Sequence, residues 1–178
     1  MFDSSPISGL RTFASLKVAD ARGSFTNLFR LEDIEYSECW SGRSVSQVNI
    51  SSNVLPGTIR GLHTQLPPYS DAKIVRCLSG KIWDVIVDLR RDSPTFGSHF
   101  SLTLSPESCN AVFIPEGCAH GFQTLSANSQ VLYLHSAPWR PEYETGVRFD
   151  DPTLAIPWPL SPVNVSNRDL TLPFLCNY

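Results

Sequence analysis

Short runs of alternating apolar and polar residues recur along this 178-residue sequence, with turn residues between them. Such alternation is typical of strands with one buried face, because successive side chains of a strand point to opposite sides of its sheet. Turn pairs such as Pro67-Pro68 and Ser79-Gly80 separate the runs. The predicted strands are residues 44–50, 73–78, 81–89, 100–104, 111–114 and 130–134. Many short strands at regular spacing predict an antiparallel sandwich or barrel.

The segments outside these strands predict little regular structure. Residues 31–36 are interpreted as one helical turn. Residues 151–178 hold five of the fourteen prolines and are expected to wrap over the barrel in short turns. Because neither an internal repeat nor a linker interrupts the pattern, residues 1–178 are predicted to form a single domain.

Charge and composition exclude several classes of function. The formal net charge of −3 offers no general attraction to nucleic acid or to an anionic membrane, so neither is expected as a partner. No run approaches eighteen apolar residues, which argues against a transmembrane helix, and the first residues lack the basic and apolar regions of a signal peptide. Five cysteines without a CxxC pair favour free thiols and a cytoplasmic location.

The four histidines are candidate metal ligands or candidate bases. His63 and His120 each lack the second histidine of an HxH pair, and no carboxylate completes a recognisable ligand set, so no metal site is predicted. Without a metal, His63 is suited to act as a general base, because imidazole titrates near neutral pH. A core histidine that bonds a backbone carbonyl is an equally good interpretation of His63 from the spacing alone.

Other candidate residues are ambiguous in the same way. Regular strand geometry would place Arg60 and His63 on opposite faces, so their joint action requires a turn at Gly61. Lys73 is interpreted either as a solvated strand end or as a cation that faces the barrel interior and stabilises an enolate. Tyr133 is interpreted as a core aromatic residue or as a functional one. Arginines that can form a diphosphate clamp, or only surface ion pairs, are Arg22, Arg60, Arg76, Arg90 and Arg168.

A series of short motifs runs in a fixed order along the sequence. They are DARGSF at 20–25, QVN at 47–49, IRGLH at 59–63, KIVR at 73–76, DVIVDLR at 84–90, SPTFG at 93–97, IPEGCAHGF at 114–122, Tyr133, Glu144, DDPTL at 150–154, IPWP at 156–159 and SNRD at 166–169. In this order and spacing they resemble the dTDP-4-dehydrorhamnose 3,5-epimerase family along nearly the whole chain.

The resemblance implies a fold and an assembly. The expected fold is all-β, a double-stranded β-helix (the cupin-like jelly roll) with short peripheral helices and a wrapping C-terminal tail. The family works without metal or other cofactor and usually forms homodimers that exchange N-terminal strands. Its usual substrate is dTDP-4-keto-6-deoxyglucose, on the route to dTDP-rhamnose.

The resemblance also implies roles for individual residues. His63 is expected to abstract a proton beside the keto group, with Asp169 holding its imidazole. Lys73 is expected to face the keto oxygen, and Tyr133 to deliver a proton from the opposite face. The expected lining of the nucleotide and sugar site is Arg22, Gln47, Asn49, Arg60, His120, Glu144 and Arg168.

Two departures from the family pattern affect the predicted nucleotide site. Asn27 stands where the family has a glutamate that contacts the base region. Pro138 and Trp139 replace a pair of tyrosines that stack on thymine, although the Trp139 indole can still stack on a base. The reaction type is therefore better predicted than the nucleotide.

The sequence predicts an epimerase that inverts C3, C5 or both of a nucleoside-diphosphate 4-keto-6-deoxyhexose through an enolate. One alternative is a mono-epimerase that uses another nucleotide, such as a CDP-linked sugar. Another is a non-catalytic module that binds sugar nucleotides, although His63, Tyr133 and Asp169 are all present. A metal-dependent cupin oxygenase or isomerase is disfavoured because the HxH pair is missing.

Overall fold

In a computed structural model that describes residues 5–40 and 42–178, the chain is built mainly of antiparallel strands. One helix, α1 (Ile34–Trp40), lies between the third and fourth strands, and a single helical turn, α2 (Asn167–Leu170), lies near the C-terminus. The strands are β1 (Arg11–Ala14), β2 (Lys17–Asp20), β3 (Gly23–Thr26), β4 (Gln47–Asn53), β5 (Ile59–Gln65), β6 (Lys73–Ser79), β7 (Ile82–Asp88), β8 (His99–Leu104), β9 (Asn110–Ile114), β10 (Cys118–Thr124), β11 (Ser129–His135) and β12 (Glu144–Gly146).

Two five-stranded sheets face each other. The first has the strand order β1-β9-β6-β11-β4, and the second has the order β12-β5-β10-β7-β8. The eight strands from β4 to β11 distribute between the two sheets in the jelly-roll order, which confirms the predicted all-β, cupin-like fold. The two short helices and the two 3₁₀ turns lie outside this sandwich, as expected. Within the described residues, no helix is long and apolar enough to cross a membrane.

The hydrophobic core lies between the sheets, and further apolar layers cover their outer faces. Val75, Ile86 and Val131 belong to the inner cluster. Val85 and Val87 of β7 instead pack outward against residues of the C-terminal tail, such as Leu154. The tail therefore covers the second sheet, as its proline content predicted, and β7 is buried on both faces.

The hairpin β2–β3 forms a separate two-stranded sheet that is joined to the sandwich at its base. Arg76 is buried on the outer face of the first sheet, where its guanidinium donates hydrogen bonds to Ser15 Oγ at 2.7 Å and to the Leu28 carbonyl at 3.0 Å. The same guanidinium donates to Tyr36 Oη at 2.6 Å and to the Cys109 carbonyl at 2.9 Å. Arg76 thus fixes the residues on either side of the hairpin.

Several element boundaries differ from the sequence predictions. The helical turn expected at 31–36 is the helix Ile34–Trp40, whose buried residues Tyr36 and Trp40 pack on the first sheet. The strand expected at 44–50 begins at Gln47 and continues to Asn53. Strand β10 had no alternating signal because its buried residues include polar side chains on both faces, such as Gln123 and Thr124.

Candidate active site

A cavity of about 940 Å³ opens between the two sheets. Its volume lies within the range typical of small-ligand sites. Strands β4, β6 and β11 line it from the first sheet, and β5, β10 and β12 line it from the second, with α2 adding residues from the tail. The predicted site residues that line it are Gln47, Asn49, Arg60, His63, Lys73, His120, Tyr133, Trp139, Glu144, Arg168 and Asp169.

Arg60 and His63 share the cavity because β5 contains a β-bulge. His63 pairs with His120 of β10 and Arg60 pairs with Phe122, so three steps along β5 match two along β10. Gly61 lies in this bulge with a φ of +121°. A Cβ there would lie 2.5 Å from the Gly121 Cα, so only glycine fits the bulge. This supplies the turn that joint action of Arg60 and His63 requires.

His63 forms a dyad with a carboxylate from the tail. Its Nε2 lies 2.8 Å from Asp169 Oδ1, and the Gly61 N–H donates to Asp169 Oδ2 at 3.1 Å. Ser166 caps α2 by accepting the Asp169 N–H at 3.1 Å. Burial raises the pKa of Asp169, but the hydrogen bonds and the His63 charge outweigh it and lower the pKa to about 2. An ionised Asp169 accepts the Nε2 proton, which leaves Nδ1 as the basic nitrogen of the neutral ring.

Arg168 connects this dyad to the rim of the cavity. Its Nη1 donates to Glu144 Oε2 at 2.6 Å, and its Nη2 approaches His63 Nε2 at 3.1 Å. Its Nε lies 3.4 Å from Asp169 Oδ1. Because Arg168 remains half exposed, its guanidinium is accessible to an anionic ligand as well as to Glu144.

Lys73 is buried in the cavity wall, with 7% of its surface exposed, so the interpretation as a solvated strand end is wrong. Its Nζ donates to the His63 carbonyl at 3.3 Å and lies 3.7 Å from Asp71 Oδ1. Burial raises the pKa of Asp71, but the charge of Lys73 and the hydrogen bond from His135 bring that pKa below its ordinary value. Lys73 therefore has an ionised partner.

Tyr133 faces the cavity from β11 between two imidazole rings. The His120 ring packs edge-on against it with centroids 6.0 Å apart, and the His135 ring stacks on it at 5.9 Å. Its hydroxyl lies 3.3 Å from Ser51 Oγ. Burial raises the pKa of Tyr133, so the hydroxyl keeps its proton at neutral pH and can act as an acid.

His120 belongs to a second imidazole–carboxylate pair, which the sequence interpretation did not include. Its Nε2 lies 2.7 Å from Asp84 Oδ1, and both side chains are almost fully buried. Burial raises the pKa of Asp84 above its ordinary value, although His120 opposes the shift. The motif DVIVDLR contained Asp84, but no feature of that motif pointed to His120.

A third pair, His135 and Asp71, was also missed. His135 Nδ1 lies 2.8 Å from Asp71 Oδ2, and both residues line the cavity. The signal for His135 was present in the sequence, because a residue two positions from Tyr133 in a strand shares its face. Among residues 5–40 and 42–178, no group of three or more His, Cys, Asp or Glu side chains has an arrangement that could hold a metal ion.

Arg22 and Asn27 were expected at the site but do not line the cavity of this chain. Arg22 lies at the exposed tip of the β2–β3 hairpin and pairs with Asp20. Asn27 lines a second, smaller cavity beside α1, where its Oδ1 accepts the Phe29 N–H at 3.1 Å. The idea of a clamp of five arginines is also wrong for a single chain, since only two of them line the cavity. Those two are Arg60 and Arg168.

Comparison with known proteins agrees with the motifs. The family model for dTDP-4-dehydrorhamnose 3,5-epimerase matches residues 4–177. The dTDP-4-dehydrorhamnose 3,5-epimerase of Sinorhizobium fredii is 38% identical over 181 residues, which cover 98% of the chain and 89% of that relative. The dTDP-4-dehydrorhamnose 3-epimerase of Streptomyces niveus is 39% identical over 153 residues, which cover 85% and 72%.

Comparison of the fold with solved structures gives the same family. The crystal structure of dTDP-6-deoxy-D-glucose-3,5-epimerase from Legionella pneumophila, in complex with dTDP-4-keto-L-rhamnose, matches with a TM-score of 0.92 and 34% sequence identity. The match covers 99% of the chain and 93% of that structure. Family model, relatives and fold agree, and the chain belongs to the dTDP-4-dehydrorhamnose 3,5-epimerase family.

Proposed function

We propose that the protein epimerises dTDP-4-keto-6-deoxyglucose at C3, C5 or both, giving the corresponding keto sugar of the rhamnose series. The observation that carries this proposal is the convergence of three groups in one cavity. These are the His63–Asp169 dyad, the buried ammonium of Lys73 and the protonated hydroxyl of Tyr133. A base, a cation and an acid are the groups that inversion beside a ketone requires.

The proposed steps follow from those groups. His63 removes the proton from the carbon beside the ketone, and the C–H electrons form a C=C bond while the carbonyl oxygen becomes an enolate. The Lys73 ammonium stabilises the negative charge on that oxygen. Tyr133 then donates its proton to the opposite face of the carbon, and the C=O bond re-forms. His63 then releases its extra proton to solvent and Tyr133 takes one up, so the isomerisation involves no net change of protons or electrons and needs neither a metal nor a redox cofactor.

The remaining lining residues are proposed to bind the nucleotide part of the substrate. Arg60 and Arg168 supply positive charge for the diphosphate, since charge-assisted hydrogen bonds are the stronger kind. Trp139 lies at the rim with about half of its surface exposed, so its indole is available for stacking on a base. Gln47 and Asn49 offer amide groups from the inner face of β4.

A mono-epimerase is the second candidate function. It is supported by the similarity to the 3-epimerase of Streptomyces niveus, which is as identical to the chain as the 3,5-epimerase relative. The same base, cation and acid serve either outcome. The two functions differ only in which carbons of the sugar reach His63 and Tyr133.

Solvent deuterium is expected to enter the sugar at C3, C5 or both when the protein acts on dTDP-4-keto-6-deoxyglucose in deuterated water. Abstraction by His63 must precede return of a proton from an exchangeable acid, so each inverted carbon carries one solvent deuteron. Proton NMR of the product assigns the labelled carbons and separates the two candidate functions. Unlabelled, unchanged substrate with dTDP-, UDP- and CDP-linked keto sugars would refute both.

We further propose that the protein acts as a homodimer whose chains exchange the β2–β3 hairpin. Leu16, Val18 and Phe25 of this segment expose 81%, 57% and 74% of their surfaces. An isolated two-stranded hairpin is marginally stable in water, and contiguous exposed apolar residues mark interaction surfaces. The free edge of β4 also exposes Val48 and Ile50. Contact between these surfaces of two copies would bury both.

We also propose a cytoplasmic location. All five cysteines are thiols in the structure, which is the state expected in a reducing compartment.

Exchange of the hairpin is expected to allow two impaired chains to complement each other. In a heterodimer of a His63→Asn chain and an Arg22→Ala chain, one cavity combines an intact His63 with an intact Arg22 from the other copy. Isolated through two different tags, such heterodimers are expected to show about half of the wild-type turnover, because one of two symmetric sites is intact.

The two variant homodimers serve as controls, each with low turnover at subsaturating substrate. Loss of a charge-assisted contact from Arg22 is expected to lower kcat/KM by about tenfold or more. Heterodimers no more active than the mean of the two homodimers would rule out the exchange.

A further inference from the structure

A chain of hydrogen bonds crosses one wall of the cavity. The Trp139 backbone N–H donates to Gln47 Oε1 at 2.9 Å, and Gln47 Nε2 donates to Asn49 Oδ1 at 3.0 Å. Asn49 Nδ2 lies 3.4 Å from His135 Nε2, and His135 Nδ1 lies 2.8 Å from Asp71 Oδ2. All five residues line the cavity. This hydrogen-bond chain therefore connects Trp139, at the rim of the cavity, with the carboxylate of Asp71, which faces Lys73.

The direction of this chain is fixed at both ends. A backbone N–H only donates, so Gln47 must present its oxygen to Trp139 and its amide N–H to Asn49. Asn49 must in turn present its own N–H to His135. At the other end an ionised Asp71 only accepts, so His135 must carry a proton on Nδ1, while the N–H of Asn49 calls for an acceptor at His135 Nε2. The two ends therefore require the same orientation of every group between them. In that orientation each contact of the hydrogen-bond chain joins one donor to one acceptor.

Asp71 divides its two oxygens between the chain and the lysine. Oδ2 faces His135, while Oδ1 lies 3.7 Å from Lys73 Nζ. Asp71 and Lys73 are both buried, so neither charge is well compensated by water. The position of the ammonium thus depends on a carboxylate that His135 holds from the other side.

We propose that Asp71 and His135 are positioning residues for the epimerase reaction, acting through the two ends of this hydrogen-bond chain. His135 fixes the amides of Asn49 and Gln47 for binding of the nucleotide sugar, and Asp71 fixes the Lys73 ammonium for the enolate oxygen. Each amide uses one N–H in the chain and keeps a second for an oxygen of the ligand. This inference rests on the proposed function, since it assigns the two residues to that reaction.

Two substitutions of His135 separate positioning from space filling. His135→Phe keeps a ring that can stack on Tyr133 but removes both hydrogen bonds. His135→Gln keeps an amide that can donate to Asp71 and accept from Asn49. We expect His135→Phe to raise the dissociation constant for dTDP and the KM by about tenfold with a smaller change in kcat. We expect His135→Gln to remain within about twofold of wild type in both constants.

Asp71→Asn tests the other end of the chain. The new amide oxygen still accepts the His135 Nδ1 proton, so the orientation of Asn49 is preserved, while the negative charge beside Lys73 is lost. We expect kcat to fall by about tenfold and KM to change by less than about twofold. A core histidine and aspartate that only fill space would not divide KM and kcat effects between the two positions in this way.

The hydrogen-bond chain is also visible without any turnover. Nitrogen-15 NMR of the ligand-free protein is expected to show a proton on His135 Nδ1 and a hydrogen-bond-accepting Nε2, with His135→Gln identifying its signals. A His135 protonated on Nε2 would overturn the inference while leaving the proposed epimerase activity intact. Equal kinetic losses in His135→Phe and His135→Gln would do the same. Absence of deuterium exchange by the wild-type protein would instead refute the proposed function.

Discussion

Replacing His63 by alanine is expected to lower kcat by at least about 10²–10⁴-fold, the contribution that a general base typically makes. His63 Nε2 lies 2.8 Å from Asp169, which accepts a hydrogen bond from the Nε2–H and leaves Nδ1 to accept the proton of the substrate. Alanine removes the imidazole, which is both the base and the hydrogen-bond partner of Asp169. Turnover is measured by NMR with dTDP-4-keto-6-deoxyglucose, and dTDP affinity is measured by calorimetry on the same preparations.

A matched control is available in His99, which lies on β8 and does not line the cavity. His99→Ala is expected to retain wild-type turnover, and His63→Ala is expected to bind dTDP with nearly unchanged affinity, because the base faces the sugar. Near-normal turnover in a folded His63→Ala protein would mean that another group removes the proton. The base would then have to be sought in the His120–Asp84 pair.

Much of the fold was predictable from short β-branched or alternating runs bounded by turn residues. The bounds of β6, β7, β8, β9 and β11 agree with the prediction within one residue. Strand β10 gave no such signal because it buries polar residues on both faces, Gln123 on one and Thr124 on the other. Its apolar residues therefore neither alternate nor form a continuous run.

The site was less predictable, because its contacts join distant parts of the chain. Asp169 lies 106 residues from His63 in sequence, and only the SNRD motif of the family indicated their pairing. The bulge at Gly61 reverses the alternation of β5, so regular strand geometry placed Arg60 on the wrong face relative to His63. A bulge adds one residue to one strand, and a single sequence carries no direct sign of it other than the glycine.

Residues on the hairpin show a different limit. Arg22 and Asn27 were assigned to the site by motif, but a chain considered alone holds both of them away from the cavity. Under the proposed exchange of the hairpin these two positions would lie near the cavity of a second copy, whereas burial and distance within one chain report only that chain. The exposed apolar surface of the hairpin is the feature of the single chain that supports its contact with a second copy.

Replacing Tyr133 by phenylalanine is expected to reduce inversion by about 10²–10⁴-fold while deuterium exchange falls by less than about tenfold. The substitution keeps the ring between His120 and His135 and removes only the hydroxyl. His63 then still forms the enolate and returns a solvent deuteron to the face from which it took the proton. The opposite face lacks its acid because phenylalanine has no hydroxyl. In the wild-type protein burial raises the pKa of Tyr133 and keeps that proton in place.

The measurement compares two signals in one NMR sample, the deuterium in recovered substrate and the amount of epimer formed. Ser51→Ala is the matched control, since it removes the partner 3.3 Å from the hydroxyl but leaves the acid itself. Exchange without inversion arises only when the base and the acid act from different faces of the carbon. Tyr133→Phe should therefore accumulate labelled substrate of unchanged configuration. Ser51→Ala should lose exchange and inversion in the same modest proportion. Equal losses in Tyr133→Phe would place Tyr133 among the residues that order the pocket, and the proton for the second face would have to come from another group or from water.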